Sequence, residues 1–473
     1  MLNWLRNITR RLRKVAGDFL AGIALKAEAD RLLKQGNQQY AISQFREALQ
    51  SYEEALTIYR QIGYRQGEAN SLGNLGIAYD SLGQFHRAIA FHEQSLEIQR
   101  EIGNRQGEAN SLGNLGNTYH SLGQYQRAIA FHEQDLEITR KIRNRLGEAA
   151  SLCNLGSAYH SLGQYQRAIA FHEQDLEITR EINDRLGEAN SLCGLGIAYN
   201  SLGQYQKAIE FHEQYLKIQR EINDRLGEAN SLCGLGIAYN SLGQYQKAIE
   251  FYEQYLEISR EIGYRLGESM ALNNLGETLL KTNQLAEAET AVRASIEIHE
   301  TLRSELVNNE HKASIFETQV SAYRLLQQVL IAQTRFDKAL EISEMGRTRA
   351  FVELLQQTLL TNDVPTNDKT NKLSIPKIQQ IARDRNSTIV EYSIVYPEIY
   401  IWIIQPNGNI THRAANLEPL NQQNQTLKQI ILKTRISIGT VETDDEGNKI
   451  QLESQYKRDE TGRFPYCKSS IKS

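Results

Sequence analysis

A period of 40 residues is the feature of this sequence that most constrains its fold. Five consecutive units align when they begin at residues 69, 109, 149, 189 and 229, and residues 180–211 match residues 220–251 at all 32 positions. A degenerate unit precedes them and another follows. Self-similarity at a fixed period of roughly 20 to 50 residues indicates stacked supersecondary units. We therefore predict an array over 29–308, with units 29–68, 69–108, 109–148, 149–188, 189–228, 229–268 and 269–308.

Each unit is predicted to contain two helices. In the unit that begins at residue 69, Leu72, Leu75 and Tyr79 recur three or four residues apart, as on one face of a helix. Gly83 follows, at the point where a helix ends in the left-handed conformation that glycine adopts at least cost. The chain has no proline before Pro365, which suits continuous helices because interior proline costs ~3 kcal/mol. One helix pair would leave apolar faces exposed, so stacking into an all-α solenoid is expected.

Residues at fixed places in the unit resemble the tetratricopeptide repeat (TPR). With each unit numbered from its first residue, the family motif occupies positions 4, 7, 8, 11, 15, 17 and 20, where the first full unit has Leu72, Leu75, Gly76, Tyr79, Gly83, Phe85 and Ala88. The resemblance implies a right-handed α-α superhelix, with degenerate TPR-like helices over 309–360. The family's proline at position 32 is replaced by arginine. We therefore expect the second helix to continue to position 35, which accounts for a period longer than the usual ~34 residues.

The resemblance also implies that the first helices line a concave groove, with positions 2, 5, 6, 9, 12 and 13 facing a ligand. A carboxamide both donates and accepts hydrogen bonds, so a row of asparagines is suited to hold the backbone of an extended peptide. The alternative is that these side chains hydrogen-bond within or between repeats. With little apolar area in the groove, we expect modest affinity, centred on residues 69–160. The predicted groove residues are Asn70, Asn74, Asn110, Asn114, Asn117, His120, Asn154, His160, Asn190, Asn230 and Asn274; Gly194 and Gly234 interrupt the row at position 6.

Two further rows are predicted to serve packing, with no metal and no cofactor. Ligands lie ~2.0–2.3 Å from a bound zinc ion. Packed helices are ~8–10 Å apart, so equivalent residues of neighbouring units are not expected to share one. The same separation exceeds the ~7 Å limit between the Cα atoms of a disulfide. The rows are His92, His132, His172 and His212 at position 24, and Cys153, Cys193 and Cys233 at position 5.

Residues 1–28 are predicted to form a basic amphipathic helix. They contain Arg6, Arg10, Arg11, Arg13 and Lys14. We interpret this helix as a cap of the array, because repeat arrays need polar ends. The alternatives are a membrane-surface anchor in residues 1–20 and a secretory signal.

Charge and composition limit the class of protein and the cellular compartment. A net charge of -4 gives no reason to expect nucleic acid, and four cysteines in 473 residues do not make a disulfide scaffold. No apolar run approaches the ~18 residues of a membrane span. A cytoplasmic location is therefore expected.

The chain changes character after residue 360. Residues 361–375 are a polar linker, and a short helix is predicted after Pro376. Thr388–Val395 and Glu398–Ile404 alternate in polarity as strands do, and Asn407–Gly408 opens a turn into a third strand. A helix over residues 420–434 is predicted to follow, and the polar composition of residues 441–473 favours disorder.

This segment, with the preceding run Gly346 to Phe351, resembles the start of a CHAT domain, a caspase-related domain that follows TPR arrays in bacterial proteins. The resemblance implies a partial α/β segment over 376–440, truncated before the catalytic half. Proteases of that family use a Cys–His dyad. His412 lies in the early hairpin and Cys467 in a polar tail, so we predict no catalytic residues.

We therefore expect a non-enzymatic scaffold for a protein or peptide ligand. The alternative is a caspase-like cysteine protease whose catalytic half is missing. Two or three strands with one helix leave an open edge and an uncovered face, so the segment is predicted to be marginally stable alone or to borrow a strand from a partner.

Overall fold

A computed structural model describes residues 2–305, 309–346, 374–395 and 398–417. The described part is mostly helical, with one small antiparallel sheet near its end. The helices are α1 (Leu2–Ala41), α2 (Phe45–Ile62), α3 (Arg65–Ser81), α4 (Phe85–Glu101), α5 (Arg105–Ser121), α6 (Tyr125–Lys141), α7 (Arg145–Ser161), α8 (Tyr165–Glu181), α9 (Arg185–Ser201), α10 (Tyr205–Glu221), α11 (Arg225–Ser241), α12 (Tyr245–Glu261), α13 (Arg265–Lys281), α14 (Leu285–Glu305), α15 (Asn309–Ala332), α16 (residues 336–346) and α17 (Ile375–Asp384).

Two compact units divide the chain, Met1–Ala238 and Tyr239–Ser473, and each is described by itself. In both units the helices of the array follow the predicted pairs. The basic segment 1–28 is continuous with the first helix of unit 29–68, since α1 spans both without a break.

Helix ends recur with the period of the sequence. After the first helix of a pair the chain turns at a left-handed glycine, such as Gly163 with φ of 79°. The amide of Gln164 then donates to the carbonyl of Tyr159 over 2.9 Å. The second helices end at residues with φ between 56° and 69°: Gly63, Gly103, Arg143, Asn183, Asn223 and Gly263. The predicted helix ends at positions 15 and 35 are confirmed.

Repeated contacts close each helix pair. Tyr159 stacks on Phe171, with ring centroids 5.2 Å apart. Gly156 faces the ring of His172, where an added Cβ would come within 2.6 Å of the imidazole. A larger residue would hold the two helices apart, so glycine at position 8 is required for the close approach.

The arginine that replaces the family's proline links the second helix of one pair to the first helix of the next pair. Arg140 Nε donates to Glu148 at 2.9 Å, and Arg145 donates to the other oxygen of the same carboxylate at 2.7 Å. Burial of the carboxyl acts to raise the pKa of Glu148, but the two arginines lower it below its usual value. Arg145 also pairs with Glu181. The same bond recurs in the pairs Arg60–Glu68, Arg100–Glu108, Arg180–Glu188, Arg220–Glu228 and Arg260–Glu268.

Three antiparallel strands form the sheet, in the order β1 (Ile389–Val395), β2 (Glu398–Ile404) and β3 (Ile410–Asn416). The predicted strands are therefore confirmed. The predicted helix over 420–434 and the polar tail lie outside the described residues.

One face of this sheet is covered by helices of the same unit. Trp402 and Ile404 are fully buried in a core that includes Leu330 of α15, Leu340 of α16 and Ile378 of α17. Trp402 Nε1 donates to the carbonyl of Phe336 over 3.1 Å. Helices that follow the array, α15 and α16, thus add to the layer on this face, which was not predicted from the sequence. An uncovered face remains on the other side of the sheet, as expected. The opposite row of β1, Val390, Tyr392 and Ile394, is exposed.

Candidate functional site

The first helices of successive units lie side by side in Met1–Ala238. Asn74 Nδ2 donates to Asn37 Oδ1 at 3.0 Å. His120 Nε2 lies 2.9 Å from Ser161 Oγ, and His160 Nε2 lies 2.8 Å from Ser201 Oγ. These contacts join α1 to α3, α5 to α7 and α7 to α9, over 37 to 41 residues of sequence. We call the surface formed by α3, α5, α7, α9 and α11 up to Ala238 the first-helix face.

Most predicted groove residues of the compact unit Met1–Ala238 reach the surface, but several already have hydrogen-bond partners within the chain. Asn70 and Asn110 are exposed and accept bonds from Gln66 and Gln106 of their own helices, at 2.9 and 2.8 Å. Asn74 is half-buried and engaged with Asn37. Asn117 is exposed, whereas Asn114, His120, Asn154, His160, Asn190 and Asn230 are half-buried. In the compact unit Tyr239–Ser473, the predicted groove residue Asn274 is buried.

Where glycine interrupts the asparagine row at position 6, it lies against a histidine of the preceding unit. A Cβ on Gly194 would come within 2.5 Å of the His172 ring of the preceding unit. A Cβ on Gly234 would come equally close to His212, at 2.5 Å. Asn114 and Asn154 also follow units with a histidine at position 24, so the histidine alone does not determine which residue stands at position 6.

A row of exposed leucines lies on the same face and was missed from the sequence. Leu146, Leu186 and Leu226 are 60%, 55% and 41% exposed. Each stands four residues before position 2, so it shares a helix face with Ala150, Asn190 or Asn230. Units 29–68 and 69–108 have glutamine there instead, Gln66 and Gln106. The i, i+4 relation to position 2 is the signal that could have identified this leucine row.

Few charges accompany the leucine row. In units 149–188 and 189–228, positions 2, 5, 6, 9, 12 and 13 contain no Asp, Glu, Lys or Arg. Burial lowers the pKa of His160 to about 4, so this ring is neutral at pH 7. The first-helix face therefore presents apolar and neutral polar groups.

Buried histidines form a second row behind this face. His92, His132, His172 and His212 are 1–2% exposed, and the Nδ1 of each has no hydrogen-bond partner among the described residues. Burial lowers the pKa of His172 to about 4. The residues lie one per unit, on the second helix.

In unit 149–188 the histidine meets two other potential metal ligands. One ligand atom each of Cys153, His172 and Asp175 lie within 4.8 Å of one another. Burial raises the pKa of Asp175 to about 7 and that of the Cys153 thiol well above its usual value. Within the described ranges this is the one group of three such residues. Comparing equivalent residues of neighbouring units missed it, because these three belong to the two helices of one unit.

Of the two residues considered for a protease dyad, the structure describes His412. His412 lies on β3 opposite Trp402, with its ring stacked on Phe336 at a centroid distance of 3.4 Å. Cys467 lies outside the described residues. In the part of the chain that is described, no helix is both long and apolar enough to cross a membrane.

Sequence comparison identifies the repeat. The family model described as tetratricopeptide repeat matches residues 28–101, 82–141, 107–181, 147–221, 188–261 and 227–301. The chain is also similar to tetratricopeptide repeat protein 28 of Mus musculus and of Homo sapiens, at 29% identity over 134 residues. That segment is 28% of this chain and spans 5% of the length of those relatives.

Solved structures share the fold. A signal transduction ATPase with numerous domains and a tetratricopeptide repeat sensor, from Pyrococcus horikoshii, has a TM-score of 0.52 at 18% identity, covering 70% of this chain and 49% of that one. Aspartyl phosphate phosphatase F from Bacillus subtilis has a TM-score of 0.50 at 14% identity, covering 63% of this chain and 76% of that one. At these identities the similarity is one of fold alone.

Proposed function

This chain belongs to the tetratricopeptide repeat family, and we propose that it is a non-enzymatic scaffold that binds an extended segment of another protein on the first-helix face. The observation that carries the proposal is the exposed leucine row, Leu146, Leu186 and Leu226, on a face whose groove positions in units 149–188 and 189–228 carry no charged residue. Surface leucines scattered singly need no explanation, but three in register on one face mark an interaction surface.

The leucine row indicates what kind of segment would bind. Covering apolar surface contributes about 25 cal/mol per Å², so apolar side chains of the ligand are favoured over the row. Packed helices are ~8–10 Å apart and an extended chain rises ~3.3 Å per residue. A ligand that crosses the first helices would then place one apolar residue over the row about every third position.

The neighbouring asparagines suit the backbone of such a ligand. Asn190 and Asn230 lie one helical turn after Leu186 and Leu226 and retain partial exposure. Asn70 and Asn110, by contrast, are engaged with glutamines of their own helices. We therefore place the binding region over residues 146–230, in preference to the 69–160 region expected from the sequence.

A peptide selection tests this proposal. Selection of a random peptide library on the immobilised full chain should enrich sequences with apolar residues at about every third position. Affinities of the enriched peptides are then measured by fluorescence anisotropy. The variant L146Q/L186Q/L226Q should bind them at least about tenfold more weakly, because each leucine covered is worth roughly 1.5–3 kcal/mol before ordering costs.

The chain itself offers the controls. Glutamine is the residue that units 29–68 and 69–108 carry at this position, so the triple variant should fold. The matched control I102Q/I222Q removes exposed isoleucines at the ends of the second helices α4 and α10. Equal affinity of the leucine variant and the wild type would refute the proposal. Unchanged affinity after N74A/N114A/N154A would exclude a backbone grip by position 6 and leave the leucine row intact as the binding element.

We propose further that residues 376–440 are the beginning of a CHAT-like α/β segment. A helix followed by three antiparallel strands, placed after a TPR array, supports this order of modules. The protease alternative requires a nucleophile that works with His412. Labelling of Cys467 by a cysteine-directed activity probe, lost in H412A, would support that alternative; absence of labelling supports the scaffold.

A further inference from the structure

Three side chains of different chemistry converge inside unit 149–188. Cys153 comes from α7, while His172 and Asp175 lie three residues apart on one face of α8. One ligand atom of each lies within 4.8 Å of the others. We propose that Cys153, His172 and Asp175 bind one zinc ion.

The donor set fits this ion. A thiolate, an imidazole nitrogen and a carboxylate oxygen are the ligands that Zn²⁺ takes from proteins, at ~2.0–2.3 Å. Ligands of a tetrahedral site then lie roughly 3.3–3.8 Å apart. Side-chain rotations that close the present separations by about 1 Å complete three corners of the tetrahedron. The fourth is left to water or a ligand, from the partly exposed side of Cys153.

Burial and hydrogen bonding of these side chains also support a metal site. His172 and Asp175 are each 2% exposed. The Nδ1 of His172, like that of His92, His132 and His212, is buried with no hydrogen-bond partner in the described structure, and in this unit two further ligand atoms lie close to the ring. Ser191 Oγ donates to Asp175 Oδ2 at 2.7 Å, the kind of outer contact that orients a metal-binding carboxylate.

The imidazole has little freedom to turn away. Gly156 of its own unit and Gly194 of the next unit flank the ring, and a Cβ at either would come within 2.6 or 2.5 Å of it. The ring is therefore closely packed before an ion arrives, which limits the ordering cost of binding.

Neighbouring units carry incomplete versions of the set. At positions 5, 24 and 27, unit 109–148 has Gly113, His132 and Asp135, and unit 189–228 has Cys193, His212 and Tyr215. Only unit 149–188 of the five aligned units combines all three ligand types. These natural variants supply substitutions that the fold tolerates at the same place.

Metal titration of the full chain tests the site. The chain, stripped of metal with a chelator, is titrated with Zn²⁺ in competition with a chromophoric indicator, and separately with Co²⁺. We expect one equivalent of Zn²⁺, and a Co²⁺ adduct with a thiolate charge-transfer band and the visible bands of tetrahedral coordination. Far-UV circular dichroism and the unfolding midpoint of the metal-free chain check that each variant is folded.

Three variants decide the assignment. C153G installs the residue of unit 109–148 and should abolish the charge-transfer band and weaken Zn²⁺ binding at least about 100-fold. D175N keeps the side-chain volume and should weaken binding by at least about tenfold. C193G removes the equivalent thiol of the next unit and should leave both readouts unchanged. The proposal is overturned if the wild type takes up no stoichiometric Zn²⁺, if C153G binds as the wild type does, or if C193G loses as much as C153G.

Discussion

The array and the sheet bury their side chains in different ways. In the array Leu112, Leu152 and Leu192 occupy the same buried place in successive units, each at most 1% exposed. In the sheet Trp402 fills a place that occurs once, and its indole donates to a carbonyl 66 residues earlier. A repeat array is stabilised by similar interfaces between neighbours, so the loss of one is local. A core that occurs once has no equivalent neighbour, so a substitution in it should affect the whole sheet.

The largest effect is expected in the sheet. Trp402→Ala should destabilise the segment 389–416 by about 3–5 kcal/mol, because it removes the largest buried side chain and the bond to Phe336. Hydrogen exchange by mass spectrometry should show fast exchange across β1 to β3 while α3 to α10 keep their protection. The control Tyr392→Ala removes a side chain that is 47% exposed and should change little. Equal protection of the strands in W402A and wild type would contradict the single-core interpretation.

A smaller effect is expected at one interface of the array. Glu148→Gln removes the carboxylate shared by Arg140 and Arg145, two charge-assisted bonds. Both arginines are about half-exposed (49% and 40% of the side chain), so solvent screens the pair and we expect a loss of about 1 kcal/mol. Denaturant unfolding measures it. Glu181→Gln, which alters the exposed partner of Arg145, is the matched control and should cost less.

The same substitution has a defined pH dependence. The folded pKa of Glu148 is lowered below the unfolded value, so the carboxylate contributes stability above the unfolded pKa. That contribution is lost as the pH falls through the folded pKa. The difference in unfolding free energy between wild type and E148Q should therefore shrink as the pH is lowered from about 7 towards 3. A constant difference would show that ionisation of Glu148 is not its source.

The smallest effect concerns a helix end. Arg143 has φ of 56°, a conformation that costs non-glycine residues about 1 kcal/mol or more, least for asparagine. The equivalent residues Asn183 and Asn223 have φ of 56° and 57°. Arg143→Asn should raise the unfolding free energy by a few tenths to about 1 kcal/mol. The reverse variant Asn183→Arg should lower it by the same amount, and two changes of the same sign would contradict the backbone argument.

Much of the fold was predictable from particular residues. Gly163 and its equivalents end the first helices, and Gly103 or Asn183 ends the second, because few other residues adopt a positive φ at low cost. The alternation in Thr388–Val395 and Glu398–Ile404 predicted two strands that the structure contains. The helix layer over Trp402 was not predictable in this way. It depends on contacts with α15 and α16, and no local pattern encodes their partner.

The candidate sites were likewise predictable only in the features that depend on local sequence. The asparagines of the groove were identified by their position in the repeat, but whether each has a free amide depends on its neighbour, such as Asn37 beside Asn74. The leucine row followed from helix periodicity and was nevertheless missed, since position 38 belongs formally to the preceding unit.

By itself, the sequence determined the period, the helix pairs, their ends and the arginine that replaces a proline. These follow from local rules, because backbone sterics and the 3.6-residue helical turn act over a few residues. Only the tertiary structure decided which side chains meet across the turn of a helix pair, where Cys153 approaches His172 and Asp175. It also decided what covers Trp402. Such contacts depend on how helices pack, to within a fraction of the ~8–10 Å between their axes, and the spacing of residues along the chain does not specify that.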